Sequence, residues 1–526
     1  MKKYKVFLRI AACGATALAL SGSHALAQGT NVSTTRTDFI LGIGAEPVTL
    51  TPAITTNQST GIVGAMIYNG LVSWMADGTL APELATSWEI AEDGLTYTFK
   101  LREGVTWHDG EAFDSADVVF TFNNVLSQFH PRASALIKSL GLVASAPDAS
   151  TVVFKLEKPY GPLLQRLGAV EAAIVPEHIF GKSADIAADP ANQAPIGTGP
   201  FMFSSWDRGQ TLHLVKNEGF WAEGKPSIQD MYVRVIPEPS NMTIALQTGE
   251  IDMISPSWVS TSDIAALQAD PALQLSDLPT MVAIQSLWIN TARAPLDRVE
   301  VRQAIAAALD QEAIVALASD GIGVPSDSAL GSAFNWTYDA SSGYSALYTP
   351  EETQRLKDLL GSEPIELSLT YDNASAATGA IAQVIADQLA EVGIKVRLTE
   401  LETQVYVSKL FAERDFDLGL TFLTSSGDPA IGYHRIYGTN EGRANYQNPT
   451  GYSNPEVDAL FTSASEASDK AERGEFYKKA TAILNAEVPA VALFESTPLV
   501  FSNADLKGDW TYFDSRLGSE NYSWAE

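Results

Sequence analysis

The stretch Ile365-Glu366-Leu367-Ser368-Leu369 alternates apolar and polar residues, and Ile394 to Leu398 does so again. Between them Ile381, Val384, Ile385, Gln388, Leu389 and Val392 form one helical stripe, which Gly393 stops. Strand, helix and strand at this spacing make a βαβ unit, whose strands run parallel and whose crossover is right-handed. An α/β body therefore occupies the later half of the chain. Asp297-Arg298-Val299-Glu300 has the spacing of a capping box, with Asp at N-cap and Glu at N3, and predicts another helix through Val301, Ile305, Ala308 and Leu309.

The earlier half reads differently. Thr96-Tyr97-Thr98-Phe99-Lys100-Leu101 and Thr151-Val152-Val153-Phe154-Lys155-Leu156 alternate as half-buried strands, and Ala116 to Val125 between them has helical spacing with Asp114 or Ser115 as N-cap. That predicts a compact α+β lobe. Order should begin near Phe39, after a polar stretch from Gln28 to Thr37. Trp510, Tyr512, Phe513, Tyr522 and Trp524 make the tail too aromatic for a loose end, so it should pack back onto an earlier lobe. No internal repeat, heptad run or low-complexity segment is visible.

Met1-Lys2-Lys3-Tyr4-Lys5, an apolar run from Ala11 to Leu20 and Ala25-Leu26-Ala27 follow the charged, apolar and small-residue order of a secretory signal peptide. The run is too short to cross a bilayer in helix. Ile10-Ala11-Ala12-Cys13 resembles a lipid-attachment box, but Arg9 interrupts the apolar run before it and the better apolar core lies after it. Cleavage after Ala27 to give a free periplasmic protein is the expectation. Disulfides, thiolate metal sites and cysteine nucleophiles then drop out, because Cys13 is the chain's one cysteine. The leader holds four of the 34 Lys/Arg and none of the 63 Asp/Glu, so its loss takes the net charge from −29 to −33. Such an acidic surface repels phosphate backbones, which excludes nucleic acid as a partner. About 500 residues at 45 % apolar content exceed one core and divide into two or three lobes.

Catalytic chemistry finds little support. Trp107-His108-Asp109-Gly110 joins His and Asp, but Asp-Gly is a turn signal and no nucleophile stands near. The histidines are scattered, without HExxH or paired spacing, so neither a metal nor a cofactor is expected. Gly42-x-Gly44 and Gly197-Thr198-Gly199 extend to no phosphate-loop motif, and Pro200 suits a tight turn at a lobe crossing. There is no GxSxG elbow.

Several segments resemble the extracellular solute-binding proteins of ABC-type peptide and nickel importers. They are Ala45-Glu46-Pro47-Val48-Thr49-Leu50-Thr51-Pro52, Ile67-Tyr68-Asn69-Gly70-Leu71, Leu80 to Ala85, Ser87-Trp88-Glu89, and Leu101 to Gly110 with Phe113 to Val119 close behind. Gly197 to Phe201, Asn217 to Trp221, Ala245 to Asp252, and Asp297 with Val301 to Ile305 continue the likeness over nearly the whole mature chain. The resemblance implies an α/β, three-lobed periplasmic-binding-protein fold, in which two hinged α/β lobes hold the ligand and an extra α+β lobe stands beside them. By that analogy residues 28–70, 196–288 and 496–526 form lobe I, 71–195 lobe II and 289–495 lobe III. It also implies a monomer that binds a peptide or other small molecule between lobes I and III and hands it to an inner-membrane ABC permease.

In peptide-binding relatives an aspartate about three residues before an Asp-Pro or Glu-Pro step takes the ligand's ammonium; here Ser425 stands there, ahead of Asp428-Pro429. A buried ammonium needs a carboxylate. Either Asp428 or another acid substitutes, or the ligand lacks an ordinary peptide N-terminus. Asp428 also fits a plain turn role. Tyr433-His434-Arg435-Ile436-Tyr437 and Arg443 put cations and aromatics in a loop-rich stretch beside the cleft, and Arg435 or Arg443 suits a ligand carboxylate or mere surface solvation. Trp258, Trp288 and Asn290 sit where the chain should cross toward lobe III, and Tyr68-Asn69 near an early strand end. Aromatic walls accept varied ligands, though Trp288 fits a core equally well. An opine, a sugar derivative or a metal complex remains open as ligand, and an exported hydrolase, a chaperone or a sensory receptor as other classes.

Overall fold

The computed structural model describes residues 36–75, 79–255, 258–259, 263–277, 283–318, 323–331, 334–360, 365–373, 376–424, 428–442, 447–496, 499–508 and 518–525. The leader and its cleavage point lie outside them. No helix among the described residues is long and apolar enough to cross a membrane.

Three sheets organise the chain from Thr37 onward. The first has seven strands in the order Leu273–Asp277, Leu499–Asn503, Met253–Ile254, Asp38–Ile43, Asp230–Val235, Thr211–Lys216 and Phe201–Asp207. Asp38–Ile43 runs parallel to Asp230–Val235 and to Met253–Ile254, so the start of the ordered chain lies inside the sheet. Phe39, Leu41 and Ile43 are fully buried there, as apolar residues on a two-sided strand must be. The aromatic tail does pack back: the Tyr522 ring meets Phe39 edge-on at 5.0 Å, and Trp524 Nε1 donates to the Asp38 carbonyl at 2.7 Å. Trp510, Tyr512 and Phe513 lie outside the described residues.

The second sheet is antiparallel, in the order Ala85–Ile90, Thr96–Leu101, Thr151–Lys155 and Val143–Asp148. The two strands expected from alternation pair directly, Thr96 opposite Lys155 through Lys100 opposite Thr151. The helix Ser115–Phe120 begins in a capping box of Asp114 and Asp117 and continues as a wider turn through Thr121–Leu126.

The third sheet runs Val324–Pro325, Ala490–Ser496, Ala283–Ile289, Leu418–Thr424, Ile365–Asp372 and Ile394–Leu401. Its parallel pair joins Ile365 to Ile394 through Asp372 to Leu401, with the crossover helix Ala376–Ala390 burying Ile381, Ile385 and Leu389. Gly393 holds φ +81°, a left-handed conformation that glycine adopts without steric cost.

Two expectations shift. Ala283–Ile289 pairs with Leu418–Thr424 and with Ala490–Ser496, so the crossing into this sheet precedes Ala283 instead of following 288. Leu287, Trp288 and Ile289 find their burial there. The helix expected from Asp297 spans Val299–Ala308 with Arg298 at its N-cap and no side-chain capping bond. The Arg302 guanidinium donates to the carbonyls of Leu296 and Asp297, and the turn it draws in delays the helix by one residue.

The first and second sheets share a polar junction. Buried Asn69 donates to the Glu83 carboxylate, while its oxygen accepts from Thr198 Oγ1 at 3.0 Å. A Cβ on Gly197 or Gly199 would stand 1.9 or 2.6 Å from the Ile67 carbonyl oxygen, so only glycine permits this approach. His108 belongs to the same joint: its Nδ1 accepts from the Gly197 N–H, and its Nε2 lies 3.0 Å from the Gly199 carbonyl. The turn reading of Trp107 to Gly110 therefore stands.

His130 caps the helix Pro131–Leu140 with its ring, Nδ1 accepting from Ala133 N–H at 2.9 Å, and is fully buried. Burial pushes its pKa down to about 4; Glu171 opposes this, and Arg132 and Arg166 add to it. The unfolded chain takes up this proton as pH falls below ~6.5, and the folded one only near 4. Stability is thus full at neutral pH and is lost across that window, by about 2 kcal/mol from this group at pH 4.5. His130→Asn keeps a capping acceptor. Guanidinium unfolding at pH 7 and pH 4.5 should show a difference smaller by that amount in the variant.

Candidate functional site

The strand Leu418–Thr424 runs out of the core: Leu418 and Leu420 are buried, and Phe422 on the same face is 66 % exposed. After residues 425–427 comes the helix Pro429–Tyr437, started by Asp428, whose Oδ1 accepts from Ala430 N–H at 2.9 Å. The stretch expected as loop-rich is thus helical, because Asp-Pro supplies both an N-cap and a residue suited to the first helical position.

Asp428 is only 2 % exposed, and its carboxylate receives both arms of Arg473, Nη1 to Oδ2 at 2.8 Å and Nη2 to Oδ1 at 2.7 Å. Arg473 Nε donates to the Ala464 carbonyl at 2.7 Å, and the guanidinium lies 5.4 Å from the Trp336 ring centroid and 5.8 Å from that of Tyr477. The ligand-contact role expected for Asp428 therefore yields to a structural one. Nothing local in sequence marks Arg473 as its partner, since the two are 45 residues apart.

His434 is structural too. It stacks on Phe461 at 4.3 Å, with Nε2 2.9 Å from the Tyr477 hydroxyl, and burial, with Arg473 beside it, pushes its pKa down to about 3. Tyr68, Asn69, Trp288 and Asn290, expected as ligand contacts, are all buried and packed inside the protein. The Tyr68 hydroxyl lies 3.3 Å from Thr51 Oγ1, and Trp288 meets Phe411 edge-on at 5.5 Å. Asn290 donates to the carbonyls of Arg414 and Phe416.

Two expected residues reach solvent. Trp258 is half-buried against Gly44, where a Cβ would come within 2.2 Å of its ring. Arg435 is exposed and makes no ion pair among the described residues. Ser425 and Arg443 lie outside the described residues. Phe422 escaped the sequence reading, although its place as the third apolar residue in an alternating strand was a signal. No His/Cys/Asp/Glu cluster able to hold a metal occurs among the described residues.

The three sheets, parallel-containing and antiparallel, define a three-lobed binding protein of mixed α/β architecture. The chain belongs to the bacterial extracellular solute-binding proteins of family 5, whose middle-region model matches residues 79–444. It is 27 % identical over 479 residues to the probable D,D-dipeptide-binding periplasmic protein DdpA of Escherichia coli K12, covering 89 % of this chain and 90 % of that one. The crystal structure of the ABC transporter substrate-binding protein CtaP of Listeria monocytogenes matches with a TM-score of 0.82 at 25 % identity, over 94 % of this chain and all of that one. AgaA of A. tumefaciens R10, solved in complex with agropinic acid, matches at 0.73 and 26 % identity, over 93 % and 99 %. These are binding proteins and not enzymes, so the hydrolase reading falls.

Asp428→Asn would leave the Arg473 charge buried without its counter-ion, a lesion of about 3–5 kcal/mol. Urea unfolding should register a loss of that order.

Proposed function

We propose that this chain, exported and cleaved after Ala27, works as a periplasmic monomer that captures a peptide or peptide-like solute between lobes I and III. It then delivers the solute to an inner-membrane ABC permease. Lobe I comprises 28–70, 196 to the residues before Ala283, and 496–526; lobe II is 71–195; lobe III runs from Ala283 to 495. The observation that carries the reading is the exposed Phe422 at the end of a core strand, directly before the segment that holds Ser425. An exposed aromatic there forms one wall for a solute and half-exposed Trp258 of lobe I another, both at little orientational cost. The name of DdpA supports a peptide cargo.

With Asp428 committed to Arg473, that carboxylate is not at hand for a ligand ammonium, and Ser425 cannot neutralise one. Exposed Arg435 supplies positive charge in its place. This favours a second reading within the same role, a solute whose recognised group is a carboxylate, and the solved neighbour AgaA holds an acid, agropinic acid.

Native mass spectrometry of protein purified without denaturation tests the choice. A series of retained peptide masses is the expected result. A non-peptide mass, or a protein whose melting temperature is indifferent to a peptide library, rules out the peptide cargo. Arg435→Gln should weaken retention of a carboxylate-bearing solute about tenfold or more, since a charge-assisted hydrogen bond contributes ~1.5–3 kcal/mol.

A further inference from the structure

Three lobes meet around one short run of lobe II. The helix Ala169–Ala172 packs against Pro52–Ile54 and Gln58–Ile67 of lobe I, and the helix Gly161–Arg166 packs against Pro455–Glu466 of lobe III. The second contact is close, since a Cβ on Gly161 would stand 2.3 Å from the Ala467 carbonyl oxygen. Pro455–Glu466 in turn carries Phe461, which stacks on His434, the residue before Arg435.

Four arginines converge at this junction. Glu171 serves two of them, with Oε2 2.9 Å from Arg166 Nη2 and Oε1 against Arg132 Nη2. Arg166 Nε is buried and finds no acceptor among the described residues. Arg473 is bound by Asp428, and the charge that bears on Arg435 is that of another cation, Arg132 across the junction. Burial holds the neighbouring His130 and His434 rings uncharged at neutral pH, so they add nothing. Four guanidinium groups therefore stand against the two carboxylates Glu171 and Asp428, a surplus of two positive charges in a chain whose net charge is −29. Like charges held together repel, and an anion from solvent relieves the repulsion. The Arg132 side chain is 49 % exposed and Arg435 is exposed, so both are within reach of one.

We propose that Arg132 and Arg435 are the two sides of an anion subsite, in which lobe II and lobe III together hold the acid end of the solute, a compact dianion formed by two carboxylates or a phosphate. The inference deepens the carboxylate reading given under Proposed function and rests on it. Two planar guanidinium groups suit such an acid because each offers a pair of parallel donors. Lobe II then contributes to specificity through Arg132, and Glu171, anchored by Arg166, is the residue that positions it.

The test is thermal melting of the mature chain, stripped of solute by unfolding and refolding in guanidinium, at fixed ionic strength. Succinate and inorganic phosphate are the probes, and succinamide, the uncharged diamide of succinate, is the control. The wild-type protein should melt higher with succinate, with phosphate or with both, and unchanged with succinamide; the anion that acts identifies the acid group. Arg132→Gln and Arg435→Gln should each weaken binding of that anion about tenfold or more. Arg355→Gln, in an exposed ion pair with Glu352 elsewhere on lobe III, should not. Arg132→Gln leaves Glu171 with Arg166, so it should melt as the wild type does in chloride, and Arg132→Lys, which keeps the charge, should keep part of the effect. The subsite is overturned if neither anion raises the melting temperature, if the rise survives in Arg132→Gln or in Arg435→Gln, or if succinamide matches succinate. Native mass spectrometry reads capture separately. A retained solute without any anion-dependent stabilisation refutes the subsite alone, and stabilisation through both arginines in a protein that never retains a solute refutes capture alone.

Discussion

A guanidinium buried against a carboxylate sets the geometry of the chain that follows the strand Leu418–Thr424. Arg473 and Asp428 are 5 % and 2 % exposed, and desolvating both charges costs several kcal/mol per ion before any attraction is counted. The cost is offset because little of either group is left unsatisfied: two parallel bonds join them, Nε reaches Ala464, and Asp428 also starts a helix. Three helix ends are fixed in one place by this arrangement. Without it the strand that presents Phe422 would lead into a helix with no anchored beginning.

The two seams between lobes are built from different materials. Lobes I and II are joined by buried neutral and charged hydrogen bonds around Asn69, Glu83, Thr198 and His108, with glycines that let backbones touch. Opening that seam would strand several buried polar groups at once, each at about 1–3 kcal/mol, so the joint resists opening. At Gly161 and Ala467 the seam is a van der Waals approach with no hydrogen bond recorded between the two residues.

Local patterns carried the fold. The βαβ unit at 365–401, the antiparallel strands 96–101 and 151–155, and the capping box at Asp114 were legible because each depends on residues close in sequence. The helix at 299 started a residue late because Arg302, a tertiary contact, outweighed the Asp297 cap. The site was less legible for the same reason. Asp428 and His434 look like ligand groups until Arg473, Phe461 and Tyr477 arrive from a later helix pair, and Asn290 is a polar residue spent on carbonyls more than a hundred positions away. Residue type at a cleft says what a side chain offers; only the fold says whether the offer is already taken.

The first sheet has a consequence for how the chain is made. Its strand Asp38–Ile43 emerges first, yet two of its seven strands are flanked by Leu499–Asn503, and the Asp38 carbonyl waits for Trp524. A chain that appears amino end first therefore cannot complete this lobe until nearly its last residue is out. Until then Met253–Ile254 lacks the partner strand Leu499–Asn503, and the Phe39 ring lacks the Tyr522 ring that covers it.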